Sequence, residues 1–119
     1  MPYDLIDRTA RFAKRVRSFV KGLYKDIATI EDSKQLVRSS GSVGANYIEA
    51  NNALSHKDFV MRIKISRKEA RESSFWLDLL DLESRPELEV ERLALFQESI
   101  ELMKIFGAIL RNSEKDRSV

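Results

Sequence analysis

Apolar residues recur at steps of three and four along most of the chain, which is the period of an amphipathic helix. The first such line predicts a helix over residues 4–27. Its members are Leu5, Thr9, Phe12, Val16, Phe19 and Leu23. The polar run Glu31–Lys34 predicts the turn that follows, with Asp32 or Ser33 as the N-cap of the next helix.

The run RSSGSVGANYIEA, residues 38–50, has the glycine and serine content of a flexible linker. Two lines of residues nevertheless keep helical spacing across it. The first is Leu36, Ser40, Val43, Tyr47 and Leu54, and the second is Ser39, Ser42, Asn46, Glu49 and Ala53. A flexible linker is not expected to keep helical spacing along two separate lines of residues. We therefore predict a helix over 34–54 whose small residues let a neighbour approach closely, with the polar second line on its far face.

A third helix is predicted over 56–82, because Ser55 and Asp58 have the spacing of a capping box. This helix has two apolar lines, whereas a surface helix needs one. One line is Phe59, Ile63, Ala70, Leu77 and Leu80, and the other is Met61, Ile65, Trp76 and Leu79. We interpret the second line as a candidate oligomer interface, since a monomer would leave it exposed.

Pro86 interrupts the chain before a fourth helix, predicted over 88–112. The main apolar line of this helix is Leu93, Phe96, Ile100, Met103, Gly107 and Leu110, with Leu95, Leu102 and Ile109 beside it. Four helices with short connections predict a single all-α domain over 1–119, an antiparallel up-down-up-down bundle. The second face of the third helix predicts that this bundle assembles into a ring-like homo-oligomer.

The runs RSSGSVGANYIEA, SHKDF and KEARESSFWLDLL resemble the four-helix-bundle family encoded in intervening sequences of bacterial large-subunit ribosomal RNA genes. The resemblance implies a homo-oligomer, commonly a pentamer. It also implies a basic accessory role with nucleic acid, or with a nucleic-acid enzyme, as in relatives from diversity-generating retroelements. The polar positions that carry the family pattern are Ser42, Asn46, Glu49 and Glu72. They form either a polar site around an oligomer axis or hydrogen bonds that fix helix register.

The two parts of the chain carry opposite charge. Residues 1–71 contain 15 Lys and Arg against 8 Asp and Glu, whereas residues 72–119 contain 6 against 11. Seven cations and no acid lie between residues 8 and 25: Arg8, Arg11, Lys14, Arg15, Arg17, Lys21 and Lys25. A second basic line on the third helix is Lys57, Lys64, Lys68 and Arg71. We expect all of these to point away from the apolar stripes and to form a face that binds RNA or DNA phosphates without sequence preference.

The alternative is a protein-interaction scaffold whose charges only keep it in solution. The chain has no cysteine and no apolar run near the ~20 residues of a membrane span, so we expect a cytoplasmic protein without a membrane partner.

Catalytic chemistry has little support in the sequence. His56 is the only histidine. The acids Glu69, Glu72, Asp78 and Asp81 are similar to the carboxylate pairs of all-helical nucleotide pyrophosphatases, but all four are on one helix and cannot converge on Mg²⁺ within one subunit. We therefore expect no enzyme activity, no cofactor and no metal, with a metal-dependent nucleotide hydrolase as the weakest alternative.

Overall fold

The chain forms four helices, seen in a computed structural model that describes residues 4–82 and 84–118, with side chains to residue 114. They are α1 (Leu5–Lys21), α2 (Ile27–Asn51), α3 (His56–Leu79) and α4 (Pro86–Ser118). The described residues contain no strand. The molecule measures 54 × 26 × 20 Å along its principal axes. These observations confirm the predicted all-α class with four helices.

The first turn lies earlier than the sequence pattern predicts. We expected a helix over 4–27 and a turn at 31–34, but α1 ends at Lys21 and α2 begins at Ile27. The Asp26 carboxylate caps α2 by accepting a hydrogen bond from the Thr29 backbone N–H at 2.8 Å, and this bond lowers the pKa of Asp26. Leu23 and Ile27 continue the apolar spacing across the turn, which hides the break, although Ile27 is 84% exposed.

The other helix ends follow local signals more closely. The Ser55 hydroxyl accepts from the Asp58 backbone N–H at 3.1 Å, as the capping box predicts. Helix α3 ends at Leu79 rather than at residue 82, and α4 starts with Pro86 in its first position. Helix α4 also continues to Ser118, beyond the predicted end at 112, because no glycine or proline follows Gly107 to stop it.

The core lies where the four helices meet. Helix α2 packs along α3, α3 packs along α4, and α1 contacts α2 and α4 but not α3. The side chains with no exposed area include Phe12, Val16, Leu36, Val43, Ile63, Leu77, Leu95, Leu102 and Phe106. On α4 the buried line therefore passes through Leu95 and Leu102, beside the predicted line. Leu93, which we expected inside, is 52% exposed.

Helices α1 and α2 approach most closely at Gly44. A Cβ atom built there would lie 2.8 Å from the Thr9 Oγ1 and 3.1 Å from the Thr9 Cβ. Thr9 is buried, and its hydroxyl donates to the Leu5 and Ile6 carbonyls, so this side chain cannot move away. A Cβ atom at Gly41 would lie 3.3 Å from the end of the flexible Arg17 side chain. Gly44, rather than Gly41, is therefore the glycine that the packing requires.

We expect Gly44→Ala to lower the free energy of unfolding by about 1–3 kcal/mol, because the added methyl group overpacks against Thr9. Gly41→Ala is the matched control, since Arg17 can move and the helix gains up to about 1 kcal/mol from the higher propensity of alanine. Urea unfolding followed by circular dichroism measures both. Equal effects of the two substitutions would contradict this description of the crossing.

Candidate nucleic-acid interface and the polar seam

The cations of α1 divide into a paired and an unpaired group. Arg8 donates from Nε and Nη2 to the two carboxylate oxygens of Glu98, both at 2.8 Å. Arg15 donates to Glu91 at 3.2 Å. The expectation that every basic residue of this segment points away from the bundle is therefore wrong for Arg8 and Arg15. They are seven residues apart, which places both on the side of α1 that faces α4.

The unpaired group lies farther round α1, with Arg11 bordering a hollow that it shares with Arg8, Arg15 and Glu98. Arg11, Lys14 and Lys21 are exposed, and none of them pairs with a carboxylate among the described residues. We call these three residues the α1 ridge. Arg17 is exposed and donates to the Ala13 carbonyl at 3.2 Å. Lys25 is exposed in the segment that connects α1 to α2.

The basic line of α3 lies elsewhere on the molecule. All four of its residues are exposed, and Lys68 lies 3.9 Å from the Glu72 carboxylate. Because α1 and α3 share no contact within the described residues, the two basic lines occupy opposite corners of the bundle. They do not form one continuous basic face.

The candidate oligomer interface on α3 is only partly on the surface. Met61 and Leu79 are 53% and 48% exposed, whereas Ile65 and Trp76 are half-buried. Trp76 packs against the core and meets the ring of Phe75 edge-on, with the centroids 5.0 Å apart. Phe75 is itself 54% exposed and was absent from the predicted set. The outer side of α3 thus presents apolar and basic side chains together.

A row of polar side chains lies between α2 and α3, and we call it the polar seam. It consists of Arg38, Ser39 and Asn46 on α2, and Arg62, Ser66, Glu69, Glu72 and Ser73 on α3. Ser39 and Asn46, two members of the polar line that we expected on the far face of α2, therefore face α3. The sequence of α2 alone does not determine this direction, because the partners are on α3.

At one end of the seam Arg38 bridges two carboxylates. Its Nη2 lies 2.7 Å from Glu72 and 3.4 Å from Glu69. Glu69 is only 7% exposed, and a carboxylate buried to this extent needs a paired cation. The hydrogen bond with Glu69 is the main reason that the pKa of Arg38 is raised. Arg38 is not among the residues predicted for a site, although it is the first residue of the run RSSGSVGANYIEA.

Serine and asparagine side chains complete the seam. The Ser39 and Ser73 hydroxyls lie 2.9 Å apart, and both residues are fully buried. Ser66 donates to the Val43 carbonyl at 3.0 Å. The Asn46 carbonyl oxygen accepts from Arg62 at 3.1 Å. Each of these bonds satisfies polar groups between two packed helices.

The four positions of the family pattern do not converge. Asn46 bonds with Arg62, whereas Glu72 bonds with Arg38 farther along the seam. Ser42 is half-buried, and its carbonyl accepts from the Asn46 side chain at 2.9 Å. Glu49 is exposed. Asn46 and Glu72 each bond to an arginine of the neighbouring helix, Arg62 and Arg38 respectively.

The acids of α3 face in different directions. His56 is exposed at the first residue of the helix. Glu69 and Glu72 turn towards Arg38, whereas Asp78 is exposed. Within the described residues, no group of three or more His, Cys, Asp or Glu side chains has metal-binding geometry. None of the described helices is long and apolar enough to cross a membrane.

Comparison with known proteins identifies the family. The model of the 23S rRNA-intervening sequence protein family matches residues 3–108. The chain belongs to this family. A crystal structure of a family protein from Bacteroides thetaiotaomicron VPI-5482, described as a protein of unknown function from the S23 ribosomal protein family, is 30% identical. The match covers 90% of this chain and 98% of that chain with a TM-score of 0.76. No curated protein matches the chain.

We expect Arg38→Ala to lower the free energy of unfolding by about 1–3 kcal/mol, because it leaves the buried Glu69 carboxylate without its partner. Adding Glu69→Leu should recover much of the loss, since the unpaired charge is then removed. Lys68→Ala is the control, because the exposed Lys68–Glu72 pair contributes less than about 1 kcal/mol. Urea unfolding measures all three variants. An Arg38→Ala variant as stable as the control would show that the Arg38–Glu69 pair does not stabilise the fold.

Proposed function

We propose that this family member is a non-enzymatic homo-oligomer of antiparallel four-helix bundles that binds nucleic-acid backbones through the α1 ridge. One observation carries the proposal. Arg8 and Arg15 are neutralised by α4, whereas Arg11, Lys14 and Lys21 pair with no carboxylate among the described residues. Cations without an internal partner are available to phosphates, and the release of condensed counterions then favours binding.

The chemistry of the ridge supports binding without sequence preference. Its three side chains are cations on long flexible stems, suited to phosphate oxygens rather than to base edges. No aromatic side chain lies between them on the outer side of α1 to stack a base. In a homo-oligomer the ridge repeats once per subunit, so modest affinities combine along one strand.

The order of contacts along the helices supports the antiparallel arrangement. On α1 and α4, Arg8 pairs with Glu98 whereas Arg15 pairs with Glu91, so a later residue of α1 pairs with an earlier residue of α4. On α2 and α3, Ser39 meets Ser73 and Asn46 meets Arg62 in the same descending order. An up-down-up-down connection produces this order.

The exposed apolar residues of α3 support self-association. Met61, Phe75 and Leu79 are each about half exposed, and a monomer gains nothing by presenting them to water. The family resemblance adds the copy number, commonly five. The same surface favours a second candidate function, a protein-interaction scaffold that binds no nucleic acid.

We expect the protein to sediment as a homo-oligomer, and we expect Met61→Arg combined with Leu79→Arg to dissociate it, because two charges would be buried in the interface without partners. Val90→Arg combined with Leu93→Arg is the matched control on α4, where both side chains are also exposed. Analytical ultracentrifugation measures both. A wild-type monomer at every concentration would exclude the oligomer.

We expect wild-type protein to bind short single- and double-stranded probes of random sequence, with affinity that falls steeply as salt rises. Each phosphate neutralised contributes a log–log slope of about −0.7 on single strands and −0.9 on duplex. The triple change Arg11→Glu, Lys14→Glu and Lys21→Glu should abolish binding without unfolding the bundle. Fluorescence anisotropy across a salt series provides the measurement.

The matched control changes Lys57, Lys64 and Lys104 to Glu, which alters net charge equally at exposed sites off α1. This variant should keep more of the affinity than the ridge variant. If the control loses binding and the ridge variant keeps it, the exposed lysines of α3 and α4 hold the phosphates instead. If neither probe binds wild-type protein even at low salt, the scaffold function takes precedence.

A further inference from the structure

A groove opens between α1 and α2 near the segment that connects them. The two helices touch at Thr9 and Gly44, and towards the connection they leave a cleft of about 390 Å³. This volume lies in the ~300–1,000 Å³ range of ligand pockets. The cleft, which we call the α1–α2 groove, is lined by Val20, Leu23, Thr29, Ile30, Ser33 and Val37, with Lys25 and Lys34 at its rim.

The rim of the groove is basic and weakly neutralised. Lys25 pairs with no carboxylate among the described residues. Lys34 lies 3.5 Å from Glu31, but both side chains are about two-thirds exposed, so this pair is weak. Two large apolar side chains lie beside the groove on the surface: Tyr24 is 78% exposed and Ile27 is 84% exposed. Tyr24 belongs to a neighbouring hollow that shares Thr29 with the groove and also contains Asp26 and Asp81.

The chemistry of the floor and rim selects the occupant. The floor contains aliphatic side chains and no aromatic ring, so it offers no platform for nucleobase stacking. It accepts aliphatic side chains instead, and the lysines at the rim favour carboxylates next to them. An amphipathic helix with acidic residues flanking its apolar stripe provides both features, and such helices bind in apolar grooves.

A second copy of this chain is a poor match for the groove. The first turns of α4 are its most acidic helical segment, but their carboxylates already have partners. Glu87 pairs with Arg85, Glu89 with Arg92 and Glu91 with Arg15. These bonds lower the pKa of Glu89 and contribute to the lowered pKa of Glu87. The Glu89–Arg92 and Glu91–Arg15 pairs are partly buried, so these two carboxylates are less available to the lysines of another copy, whereas the exposed Glu87–Arg85 pair is weak.

We propose that the α1–α2 groove docks an acidic amphipathic helix of a partner protein. Aliphatic side chains of that helix enter the groove between Val20 and Val37, and flanking carboxylates pair with Lys25 and Lys34. The site goes beyond the proposed nucleic-acid function, because it uses none of the α1 ridge residues.

The test uses two labelled synthetic helical peptides. Both carry leucine at positions i, i+4 and i+7, and they differ only in having glutamate or lysine at the flanking positions. Fluorescence anisotropy should show that wild-type protein binds the acidic peptide at least about tenfold more tightly than the basic one. Equal binding of the two peptides, or binding of neither, overturns the proposal.

Variants locate the binding. Ile30→Asp changes a 37% exposed position of the floor. It should weaken binding of the acidic peptide by about tenfold or more, since a few apolar residues dominate the affinity of a small interface. Val90→Asp, at a 70% exposed position on α4, is the matched control and should change little. Lys25→Glu combined with Lys34→Glu alters only exposed charges and should reverse the preference between the peptides.

Three further results decide the remaining alternatives. An unchanged peptide affinity in Ile30→Asp overturns the proposal. A change of oligomeric state in Ile30→Asp with the peptide affinity unchanged assigns the groove to a second copy and also overturns it. Random-sequence nucleic-acid probes separate this proposal from the previous one: the ridge triple variant should still bind the acidic peptide, and Ile30→Asp should still bind the probes.

Discussion

The polar seam between α2 and α3 fixes how the other helices are arranged. Small residues bring these two helices close together, so Ser39, Ser66 and Ser73 are fully buried between them. Sliding one helix along the other would separate the Ser66 hydroxyl from the Val43 carbonyl and the Glu69 carboxylate from Arg38, at about 1–3 kcal/mol for each buried group left unpaired. The seam therefore sets one register for the pair, and α1 and α4 pack against the surface that this register creates.

This arrangement also divides the positive charge of the chain. Residues 72–119 supply acids that neutralise particular arginines of residues 1–71, namely Arg8, Arg15 and Arg38. Each of these contacts joins two helices and belongs to the structure of the bundle. Among the cations that remain exposed, three sets lie apart on the surface: the α1 ridge, the α3 line and the lysines at the rim of the α1–α2 groove. One fold thus presents three basic surfaces with different neighbours.

The sequence predicts the helices better than it predicts what they face. The two phases across residues 38–50 identify α2 correctly, because helical spacing is a local property. The turn at 22–26 cannot be predicted from helical spacing, since Leu23 and Ile27 keep the spacing across it. The pairing of side chains between helices cannot be predicted for another reason. Whether Arg8 meets Glu98 depends on the relative position of two segments 90 residues apart, and the spacing of neither segment contains that information.

The central claim is that the unpaired ridge, rather than basic residues in general, meets nucleic acid. Titrating ¹⁵N-labelled protein with a short single-stranded DNA and following its NMR signals tests this residue by residue. We expect the largest shifts at Arg11, Lys14 and Lys21, while the guanidinium signals of Arg8 and Arg15 stay in place because Glu98 and Glu91 hold them. Shifts centred on Lys57 and Lys64, or no shifts at low salt, would contradict the account.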